Sequence, residues 1–189
     1  MFKDALKLKK LTTLNLCLMA MLVAITMALS FLSGYLRIGS MSKFNISFIS
    51  VYIGGALFGP VAGGTIGALA DFTSWLINPT GPFVPVFTVI EFVNGFLFGL
   101  FFYTSKERSI KLVALLALLC VLLQYGVNVI RTYFLAQMYL GGKFYEAFIT
   151  RIPSTVIMAA VKFAGIIILE PAKKRLKQLV KKYNSNRED

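Results

Sequence analysis

Apolar runs alternate with short polar segments along almost the whole chain. A bilayer core is about 30 Å thick, so a spanning helix needs about 20 apolar residues. The Pro and Gly residues between the runs are typical of turns. The pattern predicts an all-α integral membrane protein, a single domain of six transmembrane helices at residues 11–31, 46–58, 61–77, 84–103, 112–139 and 153–169.

Composition agrees with this class and narrows the chemistry. Hydrophobic residues make up 57% of the chain and charged residues 15%, whereas soluble domains carry about a quarter charged residues. Histidine is absent, which removes the commonest metal ligand and general base. Cys17 and Cys120 lie in apolar runs, where free cysteine acts as a small packing residue. Because paired-carboxylate motifs are also missing, we expect no enzyme activity, no metal and no cofactor.

Basic residues are concentrated in three segments: residues 1–10, 104–111 and 170–189. They hold fourteen of the twenty Lys and Arg residues. An even number of predicted spans separates each pair of segments, so all three lie on one side, and Lys and Arg favour the cytoplasmic side. We therefore predict cytoplasmic N- and C-termini and a basic cytoplasmic tail at 170–189. The net charge of +12 then reflects topology and contact with lipid rather than nucleic-acid binding.

A stripe of small residues runs through the second and third apolar runs. It recurs every fourth position and ends on an acidic residue: Gly55, Gly59, Gly63, Gly67 and Asp71. In lipid, such a stripe lets helix backbones approach closely. Pro60 predicts a break between two helices. We interpret the glycines as a packing device, with Asp71 facing protein rather than lipid.

Charged residues fall inside or at the start of several predicted spans: Asp71, Glu91, Arg131, Arg151 and Lys162. A charge at membrane depth costs roughly 2.5 to 3.5 kcal/mol. At about 1.5 Å per helical residue, all of them lie in the outer half of the membrane or near its midplane. We therefore predict a polar cavity open to the outside. Two interpretations remain open: ion pairs between the helices, or an anionic ligand that matches the surplus of positive charge.

Several motifs resemble one known family. The segment GGALFGPVAGGTIGALADF is followed by PTGPFVPVFT and NGFLFGLFFY, and later by NVIRTYFLAQMYLGG and RIP. Over residues 12–170, these motifs resemble the folate-family substrate-binding (S) components of energy-coupling factor (ECF) transporters. The resemblance implies a six-helix, multi-pass protein of a bacterial cell membrane. Such a subunit captures a vitamin, here folate, from outside.

The resemblance also implies protein partners. An S component docks on a coupling module of one transmembrane subunit and two ATPases, and this chain has no nucleotide-binding motif of its own. The family's small-residue motif on the first helix matches Ala20, Ala24 and Ala28. The resemblance assigns that stripe to contact with the coupling subunit. By spacing alone, it could equally serve packing within the chain.

Folate would use different groups for its different parts. The anionic glutamate tail suits Arg37, Lys43 or Arg151, and the flat ring suits Trp75 or Phe87. The donors on the pterin edge suit carboxylates and amides. The complete predicted substrate-binding set is Arg37, Lys43, Asp71, Trp75, Phe87, Glu91, Asn94, Asn128, Arg131, Arg151 and Lys162.

One loop motif departs from the family pattern and leaves other vitamins as alternatives. The outer loop between the third and fourth predicted spans reads GPFVPVFT, whereas the family often has Gly-Phe-Phe-Pro-Gly-Phe-Thr there. Pantothenate, another pteridine, riboflavin or thiamine are therefore alternative substrates. A small self-standing transporter or channel is the alternative class, although such proteins usually contain an internal repeat and this chain shows none.

Overall fold

The computed structural model describes residues 13–35, 37–38, 42–43, 46–77, 82–103, 109–139 and 141–185. These residues form six helices and one two-stranded antiparallel sheet, in the order α1 (Thr13–Tyr35), β1 (Arg37–Ile38), β2 (Ser42–Lys43), α2 (Phe48–Phe58), α3 (Pro60–Ile77), α4 (Pro85–Phe102), α5 (Ile110–Tyr139) and α6 (Phe144–Ser185). The small sheet departs from the predicted all-helical architecture.

Four of the described helices are long and apolar enough to cross a membrane: α1, α4, α5 and α6. The short helix α2 is apolar but has only 11 residues. The structure therefore confirms a helical protein with several candidate spans. The number of spans, their limits in the bilayer and the side on which the termini lie stay predictions.

The predicted break at Pro60 is present, since α2 ends at Phe58 and α3 begins at Pro60. Gly59 joins the two helices with a positive φ of 106°, a conformation that glycine adopts without steric penalty. The Gly59 N–H donates to the Gly55 carbonyl at 3.0 Å, and the Gly59 carbonyl accepts from the Gly63 N–H at 2.9 Å. The chain can therefore turn sharply here while its backbone groups stay hydrogen-bonded.

The glycine stripe brings α3 and α4 into backbone contact. A Cβ atom on Gly95 would overlap the Gly63 carbonyl, and one on Gly67 would lie 2.6 Å from the Glu91 carbonyl oxygen. Only glycine fits at such distances, so the predicted packing role is confirmed. The contact fixes the part of α4 that carries Glu91 relative to α3.

Helix α2 lies at the centre of the molecule and packs against α1, α3, α4 and α6. Its Tyr52 is fully buried against the rings of Phe98 and Phe102. The Tyr52 hydroxyl donates to Glu170 Oε2 at 3.0 Å, and Lys173 Nζ lies 2.6 Å from Glu170 Oε1. These three residues, which we call the α2–α6 cluster, join the two helices by buried polar contacts.

Helix α6 differs most from the prediction. It begins at Phe144, before the predicted span at 153–169, and continues through Pro153 and Pro171. The turn before it is short because Gly141 and Gly142 both have positive φ, and the Gly142 N–H closes α5 by donating to the Ala136 carbonyl. The basic tail is helical as far as Ser185. The sequence predicts an unordered tail at 184–189, but Asn184 and Ser185 belong to the helix, and residues 186–189 lie outside the described part of the chain.

Candidate functional site

A cavity of about 160 Å³ lies between α2, α4, α5 and α6. Polar and charged side chains share its wall with aromatic and aliphatic ones. The lining residues are Ser47, Phe48, Val51, Glu91, Asn94, Phe98, Tyr125, Asn128, Val129, Arg131, Thr132, Phe148, Arg151, Ile152, Ser154, Thr155, Met158 and Lys162.

Helix α6 supplies one long wall of this cavity. Arg151, Thr155, Met158 and Lys162 all line it, and their spacing of three or four residues places them on one face of the helix. The eleven positions from Arg151 to Lys162 correspond to about 16 Å along the axis. The cavity thus has one cation near each end of a wall three turns long.

Arg131 is held by two carboxylates from neighbouring helices. Its Nη1 donates to Glu91 Oε1 at 2.6 Å, and its Nη2 lies 3.8 Å from Asp71 Oδ1. Thr88 donates to Asp71 Oδ2 at 2.9 Å, and the Arg131 guanidinium lies 5.2 Å from the centre of the Phe87 ring. The predicted ion pairs are therefore present for this cation, whose charge is compensated within the protein.

Lys162 has a neutral partner instead. Its Nζ donates to Gln124 Oε1 at 2.9 Å, and Gln124 Nε2 donates to the Asn94 carbonyl at 3.1 Å. Gln124 is almost completely buried, with 1% of its surface exposed. The Lys162 charge is thus held by an amide dipole rather than by a carboxylate.

Two polar atoms of the cavity residues have no hydrogen-bond partner among the described residues. They are Asn94 Oδ1 and Arg151 Nη1, and both are buried. A buried donor or acceptor left unpaired costs about 1 to 3 kcal/mol, and such atoms are usually satisfied by water or a ligand. The site therefore offers one acceptor and one charged donor to a bound molecule.

The structure brings together more than half of the predicted substrate-binding residues. Those that line the cavity are Glu91, Asn94, Asn128, Arg131, Arg151 and Lys162. Asp71 and Phe87 lie behind the wall and contact Arg131. Trp75 packs on Phe83, with ring centres 4.9 Å apart, and is not one of the lining residues.

The two predicted residues in the first loop are described only by their backbone. Arg37 and Lys43 are paired across the β1–β2 sheet, but their side chains lie outside the described part of the structure. Contact of any of the predicted residues with a ligand stays a prediction.

Gln124 is the main residue that the sequence analysis missed. It lies within the apolar run 112–139, where a charge is conspicuous by its energetic cost at membrane depth and a neutral amide is less so. A neutral amide flanked by three aliphatic residues on its N-terminal side was nevertheless a usable signal, because buried amides need hydrogen-bond partners.

The alanine stripe lies on an open face of α1. Ala20, Ala24 and Ala28 are all exposed, and Met21 and Ile25 beside them are 60% and 46% exposed. A helix face with small side chains can approach another helix closely in lipid. The predicted contact with a coupling subunit therefore falls on an accessible surface, and it stays a prediction.

Comparison with known proteins gives consistent matches. The family model described as the substrate-specific component of ECF transporters matches residues 14–170. The chain is 30% identical over 136 residues to the folate transporter FolT of Clostridium novyi (strain NT), covering 72% of this chain and 73% of that protein. A crystal structure of FolT bound with folic acid matches with a TM-score of 0.68 at 28% identity, covering 88% of this chain and 98% of the other.

Proposed function

Because the chain belongs to the family of substrate-specific components of ECF transporters, we propose that it binds folate outside the cell and delivers it inward with an ATP-driven coupling module. Members of this family are the substrate-binding part of a transporter and not enzymes. The chain is accordingly a helical, multi-pass type of membrane protein. The proposal covers three points: the specificity for folate, the orientation of the chain in the membrane and the partner subunits of the coupling module.

The observation that carries folate binding is the distribution of unpaired polar atoms in the cavity. Arg151 Nη1 offers a charged donor at one end of the α6 wall, and Asn94 Oδ1 offers an acceptor elsewhere. Folate is elongated, with an anionic glutamate tail and a pterin ring rich in donors. The tail would bind Arg151, and the ring would bind near Asn94, Glu91 and Lys162.

The charges support this orientation. Arg131 is compensated by Glu91 and Asp71, so it contributes little net attraction for an anion. Arg151 lies about two turns into α6, at the end of the α6 wall nearer the Gly141–Gly142 turn. A carboxylate entering from that side would reach it first and would form charge-assisted hydrogen bonds. Two similar proteins, the folate transporter FolT and FolT bound with folic acid, agree with this ligand.

Release inward would require the partner subunits. The exposed alanine stripe of α1 would be the surface that docks on the transmembrane coupling subunit, and ATP hydrolysis would come from two separate ATPase chains. Co-purification of the full complex, with and without Ala24→Leu, tests this step. We expect the bulky side chain to prevent close helix approach and to abolish assembly while folate binding by the isolated subunit persists.

Equilibrium binding of labelled folic acid to the purified protein in detergent tests the ligand. We expect saturable binding that folates displace and that pantothenate, riboflavin and thiamine do not. Displacement by one of the other vitamins would transfer the proposal to that substrate. Absence of binding by all of them from a folded preparation would contradict the substrate-capture function.

Arg151→Met should weaken folic acid binding by about 10- to 100-fold, because a hydrogen bond to a charged group contributes about 1.5 to 3 kcal/mol and each 1.4 kcal/mol is a factor of ten. Lys143→Met is the matched control, since Lys143 is a nearby cation whose side chain is 66% exposed and paired with Glu146. Unchanged affinity in folded Arg151→Met protein would remove Arg151 from the site.

A further inference from the structure

The amide of Gln124 has only one possible orientation. An ammonium group donates and a backbone carbonyl accepts, so Gln124 Oε1 must face Lys162 and Nε2 must face the Asn94 carbonyl. Gln124 is fully buried behind the cavity wall, and Asn128 Nδ2 donates to its backbone carbonyl at 2.8 Å. Lys162 is therefore held in place by a side chain that cannot rotate without losing both bonds.

Lys162 keeps donor capacity for a ligand. An ammonium group has three N–H donors, and Gln124 is the hydrogen-bond acceptor that the described residues provide for it. Lys162 also lines the cavity. At least one N–H group is thus available to an acceptor inside the cavity.

Asn94 presents an acceptor in the same network, because Gln124 bonds both Lys162 and the Asn94 backbone carbonyl. Its Nδ2 lies 3.4 Å from Glu91 Oε2, and a carboxylate can only accept, so the amide nitrogen faces Glu91. The Asn94 Oδ1 atom is left buried with no partner among the described residues. Glu91, one turn earlier on α4, adds a carboxylate that is a second acceptor.

Hydrogen bonds connect Lys162 to Asn94 through Gln124, and Asn94 to Glu91. In that order, Lys162 is a donor, and Asn94 Oδ1 and the Glu91 carboxylate are acceptors. The edge of a 2-amino-4-oxo pteridine has the complementary order: the 4-oxo group accepts, N3–H donates and the 2-amino group donates. We propose that Lys162, positioned by Gln124, binds the 4-oxo group and makes the site selective for 4-oxo over 4-amino pteridines. This inference rests on the proposed folate-binding function.

A 4-amino pteridine would fit this wall poorly. Its 4-amino group is a donor facing the Lys162 donor, and its N3 has lost the hydrogen and becomes an acceptor facing Asn94 Oδ1. Only the 2-amino group would still meet Glu91. Two of the three hydrogen bonds are thus replaced by a donor facing a donor and an acceptor facing an acceptor. A binding site rejects an otherwise similar molecule when binding leaves its buried polar groups unpaired.

The test compares folic acid with 4-amino-4-deoxyfolic acid, which carries the same glutamate tail. We expect the unmodified protein to bind folic acid at least about tenfold more tightly. Lys162→Met should reduce this preference by at least about threefold, mainly by weakening folic acid, and the preference that remains reflects N3 against Asn94 Oδ1. Arg151→Met is the matched control, because it should weaken both ligands by the same factor and leave the preference intact.

If Lys162→Met is not recovered folded, Gln124→Met gives the same readout, since it removes the acceptor that positions Lys162. An unmodified protein that binds both ligands equally would overturn the selectivity while leaving folate binding established. A preference that neither substitution reduces would also overturn it. Failure of both ligands to bind the unmodified protein would instead remove the proposed function, and this inference with it.

Discussion

Helix α6 takes part in two polar networks that differ in how completely they are satisfied. In the α2–α6 cluster, both Glu170 oxygens are bonded, one by Tyr52 and one by Lys173, and no cavity residue belongs to it. In the cavity, Asn94 and Arg151 each leave a buried atom unpaired among the described residues. A network whose polar atoms are all bonded stabilises one arrangement of helices. A network with unpaired buried atoms lowers the stability of the folded protein but leaves those atoms available to a ligand.

The largest effect should follow from Glu170→Ala. Lys173 is 5% exposed and would lose its carboxylate, and breaking a buried pair in this way costs about 3 to 5 kcal/mol. We expect a large fall in the thermal unfolding midpoint in detergent, with folic acid affinity retained by the folded fraction. Glu146→Ala is the control, because the Lys143–Glu146 pair is exposed and such pairs contribute at most about 1 kcal/mol. Equal shifts of the unfolding midpoint in the two variants would show that the buried α2–α6 cluster stabilises the fold no more than the exposed Lys143–Glu146 pair does.

A smaller loss should follow from Gly67→Ala, which connects packing to the cavity. The added Cβ would meet the Glu91 carbonyl at 2.6 Å, and overpacking of this kind costs about 1 to 3 kcal/mol. We expect lower thermal stability and weaker folic acid binding, because α4 must move away from α3.

Gly126→Ala is its matched control. Gly126 is on α5, and a Cβ atom there would meet nothing within 4 Å. Alanine is favoured over glycine in a helix by about 1 kcal/mol, so this variant should be unchanged or slightly more stable. If both glycine variants behaved alike, close backbone contact would not be what shapes the site.

The smallest effect should come from Asp71→Asn. The Asp71–Arg131 distance is 3.8 Å and both side chains are about a quarter exposed, so solvent screening limits the pair to less than about 1 kcal/mol. Glu91 would still hold Arg131. We expect a change of stability near the limit of measurement and a slightly higher affinity for folic acid, since Arg131 becomes less fully compensated. A large loss of binding would mean that Asp71 contacts the ligand itself.

Features that depend on local spacing were predictable from the sequence. The four-residue repeat ending at Asp71 indicates a helix face that must meet another backbone, and Pro60 indicates where the helix must stop. Charges at membrane depth, such as Glu91 and Arg131, need partners because their isolation in lipid is costly. The four-residue periodicity therefore identified the packing surface. The energetic cost of charge in the membrane identified the charged residues that line the cavity.

Features that depend on which helices meet were not predictable. Tyr52 and Glu170 are 118 positions apart, and no local pattern connects them. Gln124 has no charge, so the cost of burying it is modest and left little trace in the pattern of polar residues. The start of α6 was not predicted because charged residues such as Lys143 and Glu146 are typical of loops. In the structure they form an exposed ion pair at the N-terminal end of the helix.

The contact between Gly67 and the Glu91 carbonyl has a consequence for molecular recognition. A wall anchored backbone to backbone has no rotamers at its contact points, so it has few alternative shapes to adopt. Its conformational entropy is lost when the chain folds, and a ligand that fits need not order it again. The same stiffness makes the α4 side of the cavity intolerant of ligands of other shapes, so adaptation to a different substrate must come through the longer side chains of α6.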